Sequence, residues 1–204
     1  MLKEKNKLIK YFSITLILGS VIFLTSSILQ NIISNNVEER KVEEFLDTKK
    51  EVDNSQKEQE QKQEISSTDD DYIAILEIPK INLKKGLYDK NNNKNNVEYN
   101  IQILTLSDYP NISNGNFILA SHNGSYPISY FRELYKLSNN DKVYVYYDSY
   151  KYEYVINKIY DIKKTGKAKI ERDVNQNTIT LITCKRNTNM QTIFIGYMVN
   201  KYKY

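Results

Sequence analysis

The chain has 204 residues, 40% hydrophobic and 26% charged, with six Gly, three Pro, no Trp and 18 Tyr. That composition excludes collagen-like, coiled-coil and disulfide-scaffold classes. One cysteine, Cys184, and one histidine, His122, exclude an internal disulfide. They also leave too few ligands for structural zinc, an iron–sulfur cluster or a two-histidine metalloprotease, so neither a metal nor another cofactor is expected.

The net charge of +4 is a sum of unlike parts. Lys3, Lys5, Lys7 and Lys10 make the first ten residues basic, residues 34–70 are acidic, and residues 71–204 are basic again. Basic residues of the last part are scattered, with one short cluster at Lys163, Lys164, Lys167 and Lys169. Without a basic helix or known motif this argues against nucleic acid as a partner. A cationic surface facing an anionic wall or lipid headgroup suits the pattern better.

In chain order, residues 1–10 read as a cytoplasmic basic flank and residues 11–33 as a transmembrane anchor. Tyr11 to Leu29 are 19 residues without a formal charge, a helix of ~28 Å, about the thickness of a hydrocarbon core. The preceding lysines place the N-terminus inside and the remainder outside. A cleaved signal peptide is the competing reading, but the apolar run is long for one and no A-x-A pattern follows. Residues 34–71 read as a polar extracellular linker, with one short helix around Val37 and Phe45–Leu46 and a solvated tether from Lys49 onward.

Residues 72–204 read as the folded domain. Strands are expected at Tyr72–Ile78, ended by Pro79, at Ile101–Leu106, and at Phe117–Ser121 after the Asn114-Gly115 turn. Ile128, Phe131, Leu134 and Leu137 fall at helical spacing behind Pro127 and predict a short helix. Further strands are expected at Val143–Tyr147, Tyr152–Tyr160, Thr178–Thr183 and Ile193–Val199. At least seven short strands with one helix predict an all-β barrel or sandwich.

Cys184 and His122 both fall where an apolar strand emerges into a loop, a rigid mount for a reacting group. A thiolate is the nucleophilic form of cysteine, and a free thiol of pKa ~8.5 is only a few per cent ionised at neutral pH. A neighbouring imidazolium or guanidinium stabilises the thiolate, and histidine can protonate a leaving amine. The oxyanion of the intermediate needs a positive or hydrogen-bonding partner. Arg186, two residues beyond Cys184, is a candidate. The plain alternatives are a buried structural cysteine, an exposed histidine without a role and a solvated loop arginine.

Four segments then resemble one family, the sortases, cysteine transpeptidases of Gram-positive bacterial surfaces. Thr180-Leu-Ile-Thr-Cys184 is similar to the T-L-x-T-C signature around the family's nucleophile. Gly115-Asn-Phe-Ile-Leu-Ala-Ser-His-Asn123 resembles the family's histidine segment. Ile78-Pro79-Lys80-Ile81-Asn82-Leu83 is similar to a strand near the start of the catalytic domain, and Phe131 through Val145 follows the family pattern. The likeness covers roughly residues 72–200 in order.

The resemblance implies an all-β fold, a closed eight-stranded sortase-type barrel with short helices. It implies that Cys184 attacks the Thr–Gly bond of an LPXTG-like sorting signal to give a thioacyl enzyme. His122 would be the acid and base, and Thr183 would help shape the oxyanion site. An amine of a peptidoglycan precursor or pilin would resolve the intermediate. The separation of 62 residues between His122 and Cys184 leaves no room for the long helical insertion of class B, so class A or D is closer. No D-P-[WFY]-like lid motif of class C precedes Ile78.

The family usually carries an arginine at the start of its last strand. Here Gln191-Thr-Ile-Phe-Ile-Gly196 is the matching stretch, so Gln191 stands at that position. Glutamine donates a hydrogen bond but brings no charge. Either Arg186 reaches the site from the loop, or Gln191 suffices together with backbone N–H groups. An L,D-transpeptidase, which also uses Cys, His and Arg, would have Gly directly before the Cys and a His close upstream; here Thr183 precedes Cys184. A non-catalytic wall or pilus adaptor on the same barrel is the alternative from another class.

Overall fold

A computed structural model describes residues 2–54 and 71–204. The chain divides into two compact units, Met1–Glu43 and Glu44–Tyr204.

The expected apolar run is helical, within α1 (Leu2–Asn54). Its described apolar side chains, among them Leu16, Ile17, Leu18, Val21, Ile22 and Phe23, are exposed. Hydroxyls interrupt them: Thr15 bonds back to Tyr11 O, Ser20 to Ile17 O and Thr25 to Val21 O. Among the described residues no helix is long and apolar enough to cross a membrane. A transmembrane anchor over 11–33 is therefore not shown. Helix α1 also continues into the expected linker, well past the short helix anticipated there, because Glu, Lys and Gln favour helix where nothing else competes. The rest of that linker, 55–70, lies outside the described residues.

Eight strands make one sheet: β1 (Ala74–Ile78), β2 (Leu83–Leu87), β3 (Gln102–Ile103), β4 (Asn116–Ala120), β5 (Lys142–Tyr147), β6 (Tyr150–Lys163), β7 (Thr178–Cys184) and β8 (Met190–Lys203). Their order is β2-β1-β5-β6-β8-β7-β4-β3. No ladder joins the edge strands β2 and β3 among the described residues, so the barrel is nearly closed rather than closed. A side-chain bond from Asn100 Nδ2 to Gly86 O, 2.8 Å, reaches from just before β3 to β2.

The strands form where β-branched and aromatic residues alternate. Leu76, Ile78, Phe117, Leu119, Val143, Val145, Ile179, Leu181 and Phe194 share the main core. A second cluster, Ile118, Ile182, Ile193 and Ile195, covers the opposite face of β4, β7 and β8. Both faces of β4 and β7 are thus buried, which explains the apolar run Phe117–Ala120 of β4 and the burial of the threonines of β7.

Two sequence expectations are corrected. The helix after Pro127 is not formed: residues 126–133 make turns, followed by a single 3-10 turn, Leu134–Lys136. Phe131, Leu134 and Leu137 are nonetheless buried, because a spacing of three also suits successive 3-10 turns. The run 101–106 forms only the two-residue β3: Leu104 N still bonds to Ile118 O on β4, and the Ser107 N to Leu104 O bond then turns the chain away.

Candidate active site

Strands β4 and β7 run parallel with Ala120 opposite Ile182. Continuing that register two residues places His122 beside Cys184, although 62 residues separate them in sequence. Buried hydroxyls fasten the pair. Thr178 and Thr180 donate to Asn116 Oδ1 at 3.0 and 2.8 Å, and Thr183 donates to Ser121 O at 3.0 Å. The threonines of the T-L-x-T-C segment are therefore fasteners between the two strands. Thr183 lies on the face opposite Cys184, by the alternation of a strand, and its proton is committed to Ser121 O.

Beyond its strand, His122 opens a loop closed by Phe131 N donating to His122 O at 3.2 Å. That loop and the end of β7 enclose a cleft of about 450 Å³. His122 and Cys184 both line it, with Asn123, Gly124, Tyr126, Ile128 and Ser129 from the loop and Glu98 from the far side. His122 Nε2 lies 3.1 Å from Glu98 Oε1. Cys184 is half-buried and free.

Asn123 connects the remaining pieces. Its Nδ2 donates to Cys184 O at 2.9 Å, and its Oδ1 accepts from Arg186 Nε at 3.0 Å. Arg186 is thus tied to the histidine loop although it is exposed, and it does not line the cleft. Gln191 is the residue opposite Cys184 on β8. Lys185 N donates to Met190 O, so the next pair, Cys184 and Gln191, is of the non-hydrogen-bonded kind, in which facing side chains approach most closely. Gln191 is therefore a neighbour of the thiol without lining the cleft.

Below the Lys185–Met190 hairpin, Asp161 pairs with Lys185 and accepts from Thr192 at 2.7 Å. The Lys185 bond, followed by that of Thr192, holds the Asp161 carboxyl below the usual range. This ion pair braces the turn that presents Cys184. Among the described residues no group of three or more His, Cys, Asp and Glu side chains is gathered that would hold a metal ion.

Sequence reasoning missed the lining residues Glu98, Gly124, Tyr126, Ile128 and Ser129. Glu98 had one available signal: it is the single acid between Asp89 and Asp108, in a stretch rich in asparagine.

A family model described as the Sortase domain matches residues 76–199. The chain belongs to the sortase family. Sortases are in general cysteine transpeptidases of Gram-positive cell surfaces, acting on sorting signals and pilins. Sortase A of Bacillus anthracis is 28% identical over 112 residues, 55% of this chain and 51% of that protein. The chain thus spans about half the length of the curated relative it matches. Among solved structures, a sortase D5 transpeptidase of Clostridium perfringens has a TM-score of 0.58 at 22% identity, covering 81% of this chain and 99% of that one. Sortase C of Streptococcus pneumoniae, a structure described for its pilin substrate specificity, has a TM-score of 0.58 at 17% identity, covering 81% and 90%. At these identities the likeness is one of fold, and it does not separate the sortase classes.

Proposed function

We propose that this sortase is a working transpeptidase, in which Cys184 attacks the Thr–Gly carbonyl of an LPXTG-like sorting signal and His122 handles the protons. The observation that carries this reading is the thiol and the imidazole lining one cleft at the ends of two paired strands. The S–C bond forms as the scissile C–N bond breaks, and the imidazolium gives its proton to the leaving amine. An acceptor amine, of a peptidoglycan precursor or a pilin, then attacks the thioester carbonyl and expels the thiolate. No metal or other cofactor takes part. Arg186, held by Asn123, is the charged group assigned to the oxyanion side, with Gln191 as the neutral neighbour of the thiol.

The test is cleavage of a fluorogenic LPXTG-like peptide, with mass spectrometry of the thioacyl adduct. Wild type should form the adduct on Cys184, and Cys184→Ala and His122→Ala should abolish cleavage while keeping the fold. Full activity in Cys184→Ala would sink the proposal. A folded wild type that traps no adduct from a panel of sorting peptides would leave the non-catalytic wall or pilus adaptor as the reading.

Placement at the membrane with the catalytic domain outside is part of the same proposal. It is supported by the lysines before residue 11 and by the exposed apolar side chains of α1. Release of the full chain from membranes by alkaline carbonate would refute an integral anchor.

A further inference from the structure

The cleft contains one carboxylate, Glu98, whose Oε1 lies 3.1 Å from His122 Nε2. An exposed contact between two such side chains is weak by itself. What gives this one meaning is the frame behind it. Asn95, buried, donates from Nδ2 to Ile103 O at 2.9 Å and accepts from Ile103 N at 2.7 Å. Asn100, also buried, donates to Gly86 O at 2.8 Å. Between them, Tyr99 N and Asn100 N both donate to Asn96 O, closing one helical turn, and Glu98 N donates to Asn96 Oδ1 at 3.0 Å. Glu98 therefore stands on a turn pinned to β2 on one side and β3 on the other.

A neutral imidazole carries one N–H, and the partner of one nitrogen decides which tautomer is present. A carboxylate can only accept, so Glu98 selects the form with the proton on Nε2. That leaves Nδ1 as the nitrogen that exchanges protons. We propose that Glu98 is a positioning residue that fixes the tautomer and ring plane of His122 so that proton transfer runs through Nδ1. This rests on the transpeptidase reading above. During acylation the Nδ1 proton passes to the leaving nitrogen as the C–N bond breaks. During resolution the incoming amine forms its bond to the acyl carbon, the C–S bond breaks, and the amine's surplus proton returns to Nδ1. The Nε2 proton stays on the Glu98 side throughout.

Because His122 is the chain's one histidine, a two-bond 1H–15N spectrum of the full chain shows a single imidazole and reads its tautomer without further assignment. Wild type should show Nε2–H, Glu98→Ala should lose that preference, and Glu98→Gln should keep it, since the amide oxygen still accepts. In peptide cleavage, Glu98→Ala should lower kcat about five- to tenfold with KM within about twofold, and Glu98→Gln should recover most of the loss. An unchanged imidazole spectrum in Glu98→Ala overturns the inference. So does an unchanged kcat in a protein whose wild type forms the Cys184 adduct. If wild type forms no adduct, the transpeptidase reading fails, and the spectrum alone then decides the role of Glu98.

Discussion

Asn116 is the most informative single residue to remove. It is buried, and its Oδ1 accepts hydrogen bonds from both Thr178 and Thr180 across the β4–β7 seam. In Asn116→Ala, Thr178 falls back on its longer bond to Gly115 O at 3.3 Å, but Thr180, fully buried, loses its partner. A net bond of ~1 kcal/mol plus one stranded buried hydroxyl at ~1–3 kcal/mol predicts a loss of about 2–4 kcal/mol. For a domain of this size that lowers Tm by about 10 °C and moves the urea midpoint by roughly 1–2 M. The chain has no Trp and 18 Tyr, so near-UV circular dichroism of the tyrosines is the natural probe. Adding Thr180→Val removes the stranded hydroxyl as well. The double variant should therefore be more stable than the sum of the single losses implies, with a coupling of about 1–2 kcal/mol. A cost below about 0.5 kcal/mol for Asn116→Ala, or strict additivity in the cycle, would refute the claim that this amide fastens the seam.

Three further outcomes are expected. Arg186→Ala should lower kcat/KM at least about tenfold, and Gln191→Ala less; the reverse order in the peptide assay would transfer the oxyanion role to Gln191. A Cβ on Gly86 would lie 2.1 Å from the Tyr72 ring, so Gly86→Ala should cost about 1–3 kcal/mol in urea unfolding, and a neutral result would show that the ring moves freely. The third concerns alkaline pH. Burial, followed by hydrogen bonds to Asp89 and Glu77, holds the phenols of Tyr109 and Tyr146 well above the usual range. Burial pushes Tyr152 and Tyr204 up to about 12. Above pH ~10 the unfolded chain releases protons that these groups keep when folded, so their contribution to stability is intact below ~10 and falls as pH rises. Their tyrosinate absorbance should appear together with loss of near-UV dichroism; ionisation of all 18 tyrosines with the tertiary signal intact would refute this.

Much of the barrel was legible because the alternation of Ile, Val and Tyr with polar residues is a local signal. Six of the seven expected runs became strands in place, and the seventh, 101–106, shrank to the two-residue β3. Strand β2 was not legible: Leu83-Lys-Lys-Gly-Leu87 has two lysines and a glycine, and it is a strand only because β1 offers it a partner at Ile75↔Gly86. The helix after Pro127 failed for the opposite reason: its apolar period is real, and Phe131, Leu134 and Leu137 are buried, but the segment closes into turns instead of a helix. That Cys184 and His122 end neighbouring strands and line one cleft was legible through their motif frames. The place of Glu98 in that cleft was not, because it depends on a turn held by Asn95 and Asn100, a fact of three dimensions with no periodic trace. Alternation turns the side chain of Thr183 to the face of β7 opposite Cys184, where it donates to Ser121 O, a placement that adjacency in sequence does not reveal.

The parallel seam between β4 and β7 also governs when the site can exist. Antiparallel partners joined by a hairpin can zip locally, as β5 and β6 can through Asp148 and Ser149. A parallel pair must wait for a long stretch of intervening chain and for the loop-closure entropy that it costs. Strand β8 sits between β6 and β7 in the sheet, so β7 lacks one of its two neighbours until β8 has been synthesised and inserted. A growing chain therefore carries its imidazole for some sixty residues before a thiol arrives, and holds that thiol without its flanking strand for a further interval. A chain stalled before β8 would therefore carry the thiol on a strand that lacks one of its two neighbours.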